Sequence, residues 1–104
     1  MSIEDLESVD FIGIDNNEKV VLTISDHLEW NQEHLLLLQE KLNLYLSFIE
    51  SGEILESYPQ AQGKAIKINV VCKHQPTEEA LAFMGKAYSV ISQAGFEFGH
   101  EINI

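Results

Sequence analysis

Residues 20–38 read VVLTISDHLEWNQEHLLLL, and the change of period inside them decides the fold. Val20, Leu22 and Ile24 alternate with Val21, Thr23 and Ser25, so a strand through them has one strongly apolar face. Beyond Trp30 the spacing becomes helical. Asn31 is a good N-cap residue, Glu33 puts a carboxylate in the first turn where the helix dipole favours it, and Trp30 and Leu35 stand at hydrophobic-staple spacing. The helix runs to Ser51, and Gly52 supplies a left-handed stop.

Working outward, residues 9–14 form an earlier strand, joined to residues 19–25 by Asp15-Asn16-Asn17-Glu18, where Asn and Asp tolerate turn geometry. Ahead of it, residues 2–8 carry Ile3 and Leu6 at the spacing of one helical turn. Residues 53–64 read as an irregular connection containing Tyr58-Pro59 and Gly63. Residues 65–73 form a third strand with Ile66, Ile68, Val70 and Cys72 on one face. Pro76 and Thr77 open a second helix with Glu78 and Glu79 in its first turn, closing at Ala94-Gly95. In residues 96–104 Phe96, Phe98, His100, Ile102 and Ile104 alternate with polar residues and glycine as a last strand. The element order is β-β-α-β-α-β. Right-handed crossovers then put two helices on one face of a four-stranded mixed sheet. The expected class is α+β, a two-layer α/β sandwich, with residues 1–104 as a single globular domain.

Charge excludes several functions. Asp and Glu number 17 against 6 basic residues, all lysines, for a formal net charge of -11. Without arginine the chain lacks the planar fork that grips phosphates, and without clustered cations it cannot displace counterions from nucleic acid. No nucleic-acid partner is expected. No apolar run approaches the roughly 20 residues that span a bilayer, so no membrane partner is expected either. The single cysteine, Cys72, forms no internal disulfide, which points to a reducing, cytoplasmic setting. No cofactor motif appears: Gly63-Lys64 lacks a Walker loop, and Gly13 and Gly99 fit no dinucleotide fingerprint.

Three groups of residues are candidates for function. Asp26, His27, Trp30 and His34 crowd the junction between the second strand and the long helix, where two histidines beside carboxylates suit acid–base or metal chemistry. Their spacing matches no established ligand motif, and capping plus packing explains them equally well. Second, the long helix is apolar on more sides than one sheet covers. Leu35, Leu38, Leu42, Tyr45, Leu46 and Ile49 make one stripe at about 100° per residue. Leu37, Leu44 and Phe48 make a neighbouring stripe, with Lys41 between the two. Either other parts of the chain cover that second stripe, with Lys41 reaching its ammonium to water, or it is an interface. Phe11, Val21 and Val71 extend the candidate interface onto the helix-free sheet face, beside Thr23 and Lys67. Third, Tyr58, Gln60, Gln62 and Lys64 mark the longest connection as a candidate binding loop. Cys72 sits in the apolar register of its strand and is expected to be a buried small hydrophobe. His100 is the odd residue on the apolar face of the last strand, expected at a rim or satisfied by a carbonyl.

Several strings also carry a resemblance: Val9-Asp10 with Ile12-Gly13-Ile14-Asp15, then Leu22-Thr23-Ile24-Ser25-Asp26-His27-Leu28-Glu29-Trp30, then His34-Leu35, Leu42-Asn43, Tyr45-Leu46 and Ser51-Gly52. With Tyr58-Pro59 and Gly63-Lys64 they resemble a small bacterial family of uncharacterised, acidic single-domain proteins. The resemblance implies a bacterial cytosolic origin and draws attention to Asp26, His27 and Trp30. It implies no activity.

The function expected from these features is a non-enzymatic protein-interaction domain, binding another protein or itself as a homodimer. One version is an acidic immunity-type or antitoxin-type inhibitor of a basic toxin or nuclease. The alternative is a small metal-dependent or acid–base enzyme working at the Asp26, His27, His34 junction.

Overall fold

A computed structural model describes residues 2–6 and 8–103. Strands β1 (Phe11–Ile14) and β2 (Val20–Asp26) are followed by helix α1 (Gln32–Glu50), a short helix α2 (Glu53–Ser57), strand β3 (Ile66–Cys72), helix α3 (Glu78–Gln93) and strand β4 (Glu97–Ile102). The sheet order is β1-β2-β3-β4. β1 pairs antiparallel with β2, while β2–β3 and β3–β4 are parallel, so the sheet is mixed.

The alternation in the opening stretch sets which face is wet. Val20, Leu22, Ile24 and Asp26 are buried, as are Ile68, Val70 and Cys72 opposite them in register. These side chains share one core with Leu38, Leu42, Tyr45 and Ile49 of α1 and with Met84 and Ile91 of α3. On the opposite face Val21 faces Lys67, Thr23 faces Asn69 and Ser25 faces Val71, and none of these six is buried. Parallel strands on one side of a sheet require helical crossovers, and both long helices serve that role.

The ends of the helices follow the expected chemistry. Asn31 Oδ1 accepts from His34 N at 2.9 Å, Thr77 Oγ1 accepts from Ala80 N at 3.1 Å, and Gly52 and Gly95 take positive φ after the last turns. Two local expectations are corrected. Residues 53–64 hold helix α2 and a 3-10 turn (Pro59–Ala61) rather than an irregular path, with Ile54 and Ala61 buried. Five residues are too few for a helical period to show in sequence, so the element is set by its contacts with the core. In the β1–β2 turn the left-handed residue is Glu18 (φ 60). Asp15 builds that turn with its side chain, Oδ1 accepting from Asn17 N at 2.8 Å and Lys19 N at 2.9 Å. Residues 2–5 form a turn rather than a helix, and Ile3 is buried in the core. Expectations about Ile104 lie outside the described residues, and so does the part of the 2–8 turn at position 7.

Candidate functional site

Two buried acid–base pairs and two open hollows concentrate the polar and exposed apolar features. The first pair joins the end of β2 to the first turns of α1. Asp26 is 2% exposed and His34 1%, and Asp26 Oδ2 lies 2.5 Å from His34 Nε2. His34 Nδ1 faces the Glu29 carbonyl at 2.9 Å. A carbonyl can only accept, so Nδ1 carries a hydrogen, and one further proton lies in the Asp26–His34 contact. The pair therefore holds both imidazole nitrogens in donor geometry or shares the second proton with the carboxylate. Asp26 Oδ1 accepts from Leu28 N at 3.2 Å. Trp30 stacks on the imidazole with ring centroids 3.9 Å apart and 13° between planes, and its Nε1 donates to the His74 carbonyl at 3.0 Å. The sequence grouped Asp26, Trp30 and His34, and the structure brings these three together. His27 stands apart: it is exposed and faces Glu4, with Nε2 3.2 Å from Oε1.

Cys72 is the register partner of Asp26 across β2 and β3 and is buried. Burial first, and the Asp26 charge second, push its thiol up to about 12. Such a thiol stays protonated at neutral pH and is a poor nucleophile. An open hollow of about 400 Å³ lies over Asp26, Cys72, His27 and His74 at the C-terminal ends of β2 and β3. Among the described residues no cluster of three or more His, Cys, Asp or Glu side chains has a geometry that could hold a metal ion.

The second pair was missed by pattern reading. Lys41 is 0% exposed, and its ammonium lies 2.8 Å from Asp10 Oδ1. It donates to the Ser8 carbonyl at 2.7 Å and also to the Asp5 carbonyl. Asp10 Oδ1 accepts no hydrogen bond of normal angle and is balanced by the ammonium charge, while Oδ2 accepts from Ser25 N at 3.0 Å. The Tyr45 hydroxyl completes the cluster, accepting from Asp10 N at 2.8 Å and donating to the Thr23 carbonyl at 2.6 Å. Burial raises the Tyr45 phenol well above its ordinary range, against the lowering bond from Asp10 N. The expectation that Lys41 reaches water, or forms part of an interface, is corrected. The signal available in sequence was a lone cation between two apolar stripes, which demands a buried counter-charge once both stripes are covered.

The second stripe, Leu37, Leu44 and Phe48, is half-buried and packs against the core. Leu44 and Phe48 line an open hollow of about 550 Å³ together with Val9, Phe11, Ile12 and Glu53. Phe11, 64% exposed, lies at this hollow and on the helix-free face, where it pairs in register with Thr23. Val21 and Val71 occupy the same face half-buried. Leu36 of α1, not in either stripe, is 63% exposed. The candidate loop residues do not converge: Tyr58 packs on the core, Gln60 and Gln62 are exposed, and Lys64 Nζ lies 3.7 Å from Glu18. His100 is exposed on the edge strand β4, and no helix of the described residues is long and apolar enough to cross a membrane.

This is a mixed four-stranded α/β domain whose two acid–base pairs are buried and whose exposed apolar residues include Phe11 and Ile14 on the edge strand β1. The chain belongs to a family of unknown function (DUF6572), which matches it over residues 1–103. No curated protein and no solved structure matches it.

Proposed function

We propose that this chain is a non-enzymatic, cytoplasmic protein-interaction domain whose partner is basic. The observation that carries the reading is the pairing of Phe11, 64% exposed, with a 550 Å³ hollow lined by Val9, Ile12, Leu44 and Phe48. A hollow with apolar walls beside an exposed aromatic ring, rimmed by Ser8, Ser47, Glu53 and Ser57, has the make-up of a binding surface. The net charge of -11 adds long-range attraction for a cationic partner and repulsion between two copies. Charge thus favours a different, basic protein over a homodimer. An immunity-type or antitoxin-type inhibitor of a basic toxin or nuclease is one concrete form.

The enzymatic alternative at Asp26, His27 and His34 draws less support. Both polar ends of His34 and both carboxylate oxygens of Asp26 are already engaged and shut from solvent, while His27 faces elsewhere. A general base needs reach to a substrate proton. The test is purification of a tagged chain from its native host at low salt. A stoichiometric basic protein should accompany it and leave as salt is raised. A chain that elutes alone at every salt concentration ends this reading.

A further inference from the structure

Resting on that interaction reading, we propose that the partner docks as an added β-strand on the outer edge of β1, through an extended basic segment whose alternate side chains enter the hollow beside α1. The backbone geometry provides the first argument. Asp15 N donates to the Lys19 carbonyl at 2.9 Å, and Val20 N donates to the Ala65 carbonyl at 2.8 Å, toward β3. Bonding alternates along an antiparallel pair. Gly13 and Phe11 therefore face β2, and the amide and carbonyl groups of Ile12 and Ile14 point outward. None of the described hydrogen bonds outside the ladder involves either residue.

The two edges of the sheet differ in how they are guarded. β4 carries Glu97 and Glu101, charged side chains of the kind natural edges use against unwanted pairing, and the polar His100. β1 reads Phe-Ile-Gly-Ile, with no charge and no proline, and both Phe11 and Ile14 are exposed. The Phe11 ring covers Gly13, with Cε1 3.4 Å from where a Cβ would stand, so the helix-free face of the strand is apolar.

The hollow supplies the second argument. A strand laid along β1 projects alternate side chains to opposite faces. One set enters the space lined by Val9, Ile12, Leu44 and Phe48, and the other lies beside Phe11. Charge supplies the third. Glu53 borders the hollow, and the adjoining turn carries Asp15 and Glu18, both exposed. Lysine or arginine at the flanks of the added strand meets this rim, whereas a second copy of this chain brings another -11.

The test pans a displayed library of random linear peptides against the full chain at low salt, then maps binders by backbone amide NMR. Enriched peptides should alternate apolar or β-branched residues with Lys or Arg, and should protect the amides of Ile12 and Ile14. Ile14→Pro removes an outward N–H and no ladder bond, so it should keep cooperative unfolding and bind about tenfold or more weakly, the equivalent of one or two hydrogen bonds. Phe11→Lys, at an exposed position, should weaken binding without touching the backbone, and decides the matter if the proline variant fails to fold. Binders that protect β4, or the groove between α1 and α3 lined by Leu46, Phe83 and Val90, overturn strand addition yet leave a peptide-binding domain standing. Acidic consensus peptides, or a mass doubled through β1 in light scattering, overturn the basic occupant. No enriched peptide overturns the inference, and a chain that also purifies alone removes the interaction reading with it.

Discussion

Asp10–Lys41 and Asp26–His34 are both buried acid–base pairs anchored on α1, yet they are built on opposite principles. Lys41 is a long flexible cation whose hydrogens are gathered by main-chain carbonyls of the N-terminal segment, with the carboxylate supplying charge. His34 is a rigid ring held on three sides, by Asp26, the Glu29 carbonyl and the Trp30 face. The lysine pair joins segments far apart in sequence, and Tyr45 extends it to β2. The histidine pair closes a local turn. One decides how the N-terminal segment lies over α1, and the other decides how β2 passes into α1.

The lysine pair should be the costlier to break. Lys41→Met leaves the Asp10 carboxylate buried without its counter-charge, and urea denaturation should show a loss of about 3–5 kcal/mol. Adding Asp10→Asn should restore part of it. If the single variant costs no more than a surface substitution, Lys41 is not sealed as described.

Asp26→Asn tests the second pair. It keeps an oxygen for Leu28 N but replaces a charged partner of His34, so the expected cost is about 1.5–3 kcal/mol. Because Trp30 stacks on the same imidazole, its fluorescence should shift in the folded state. Lys41→Met should leave that emission unchanged.

Alkaline titration separates the two sites by their neutral neighbours, Cys72 beside Asp26 and Tyr45 beside Asp10. A thiol raised in the folded state favours the protonated form there, so the unfolded chain loses that proton first. Its contribution to stability is full below the ordinary value of 9.0 and is lost as pH rises toward about 12. Tyr45 acts in the same direction, beginning above its ordinary value of 10.0. Melting temperature should fall across this window, and Cys72→Ala should flatten the early part of the fall. An unchanged slope would show that the thiol is not shielded by burial.

The smallest effect is expected at the surface. Lys19 and Glu97 sit 2.9 Å apart but are partly solvated, so Lys19→Met should cost less than about 1 kcal/mol and the difference should vanish in high salt. That contrast sharpens what desolvation adds to the two interior pairs.

Much of this was legible in the chain itself. The Val20, Leu22, Ile24 alternation and the Asn31 and Thr77 caps place β2, α1 and α3 within a residue or two, because period and capping are local properties. Asp26, Trp30 and His34 could be grouped because they lie within eight positions of one another in the chain. Short-range signals failed at α2, whose five residues are held by tertiary contacts, and at Lys41, whose partner lies 31 positions earlier. The hollow beside β1 was half visible as the Leu44 and Phe48 stripe of α1, but its other wall, Val9, Phe11 and Ile12, belongs to β1 and the segment before it.

Sequence alone determined the order of the four strands and two long helices, the wet and dry faces of the sheet, the ends of those two helices and the strongly acidic charge, since each depends on neighbours within a few residues. Only the tertiary structure decided that Lys41 is an interior cation, that Asp26 and His34 are sealed against each other, and that β1 is the unguarded edge. Those outcomes depend on desolvation and on backbone direction, which exist only once distant segments have packed together.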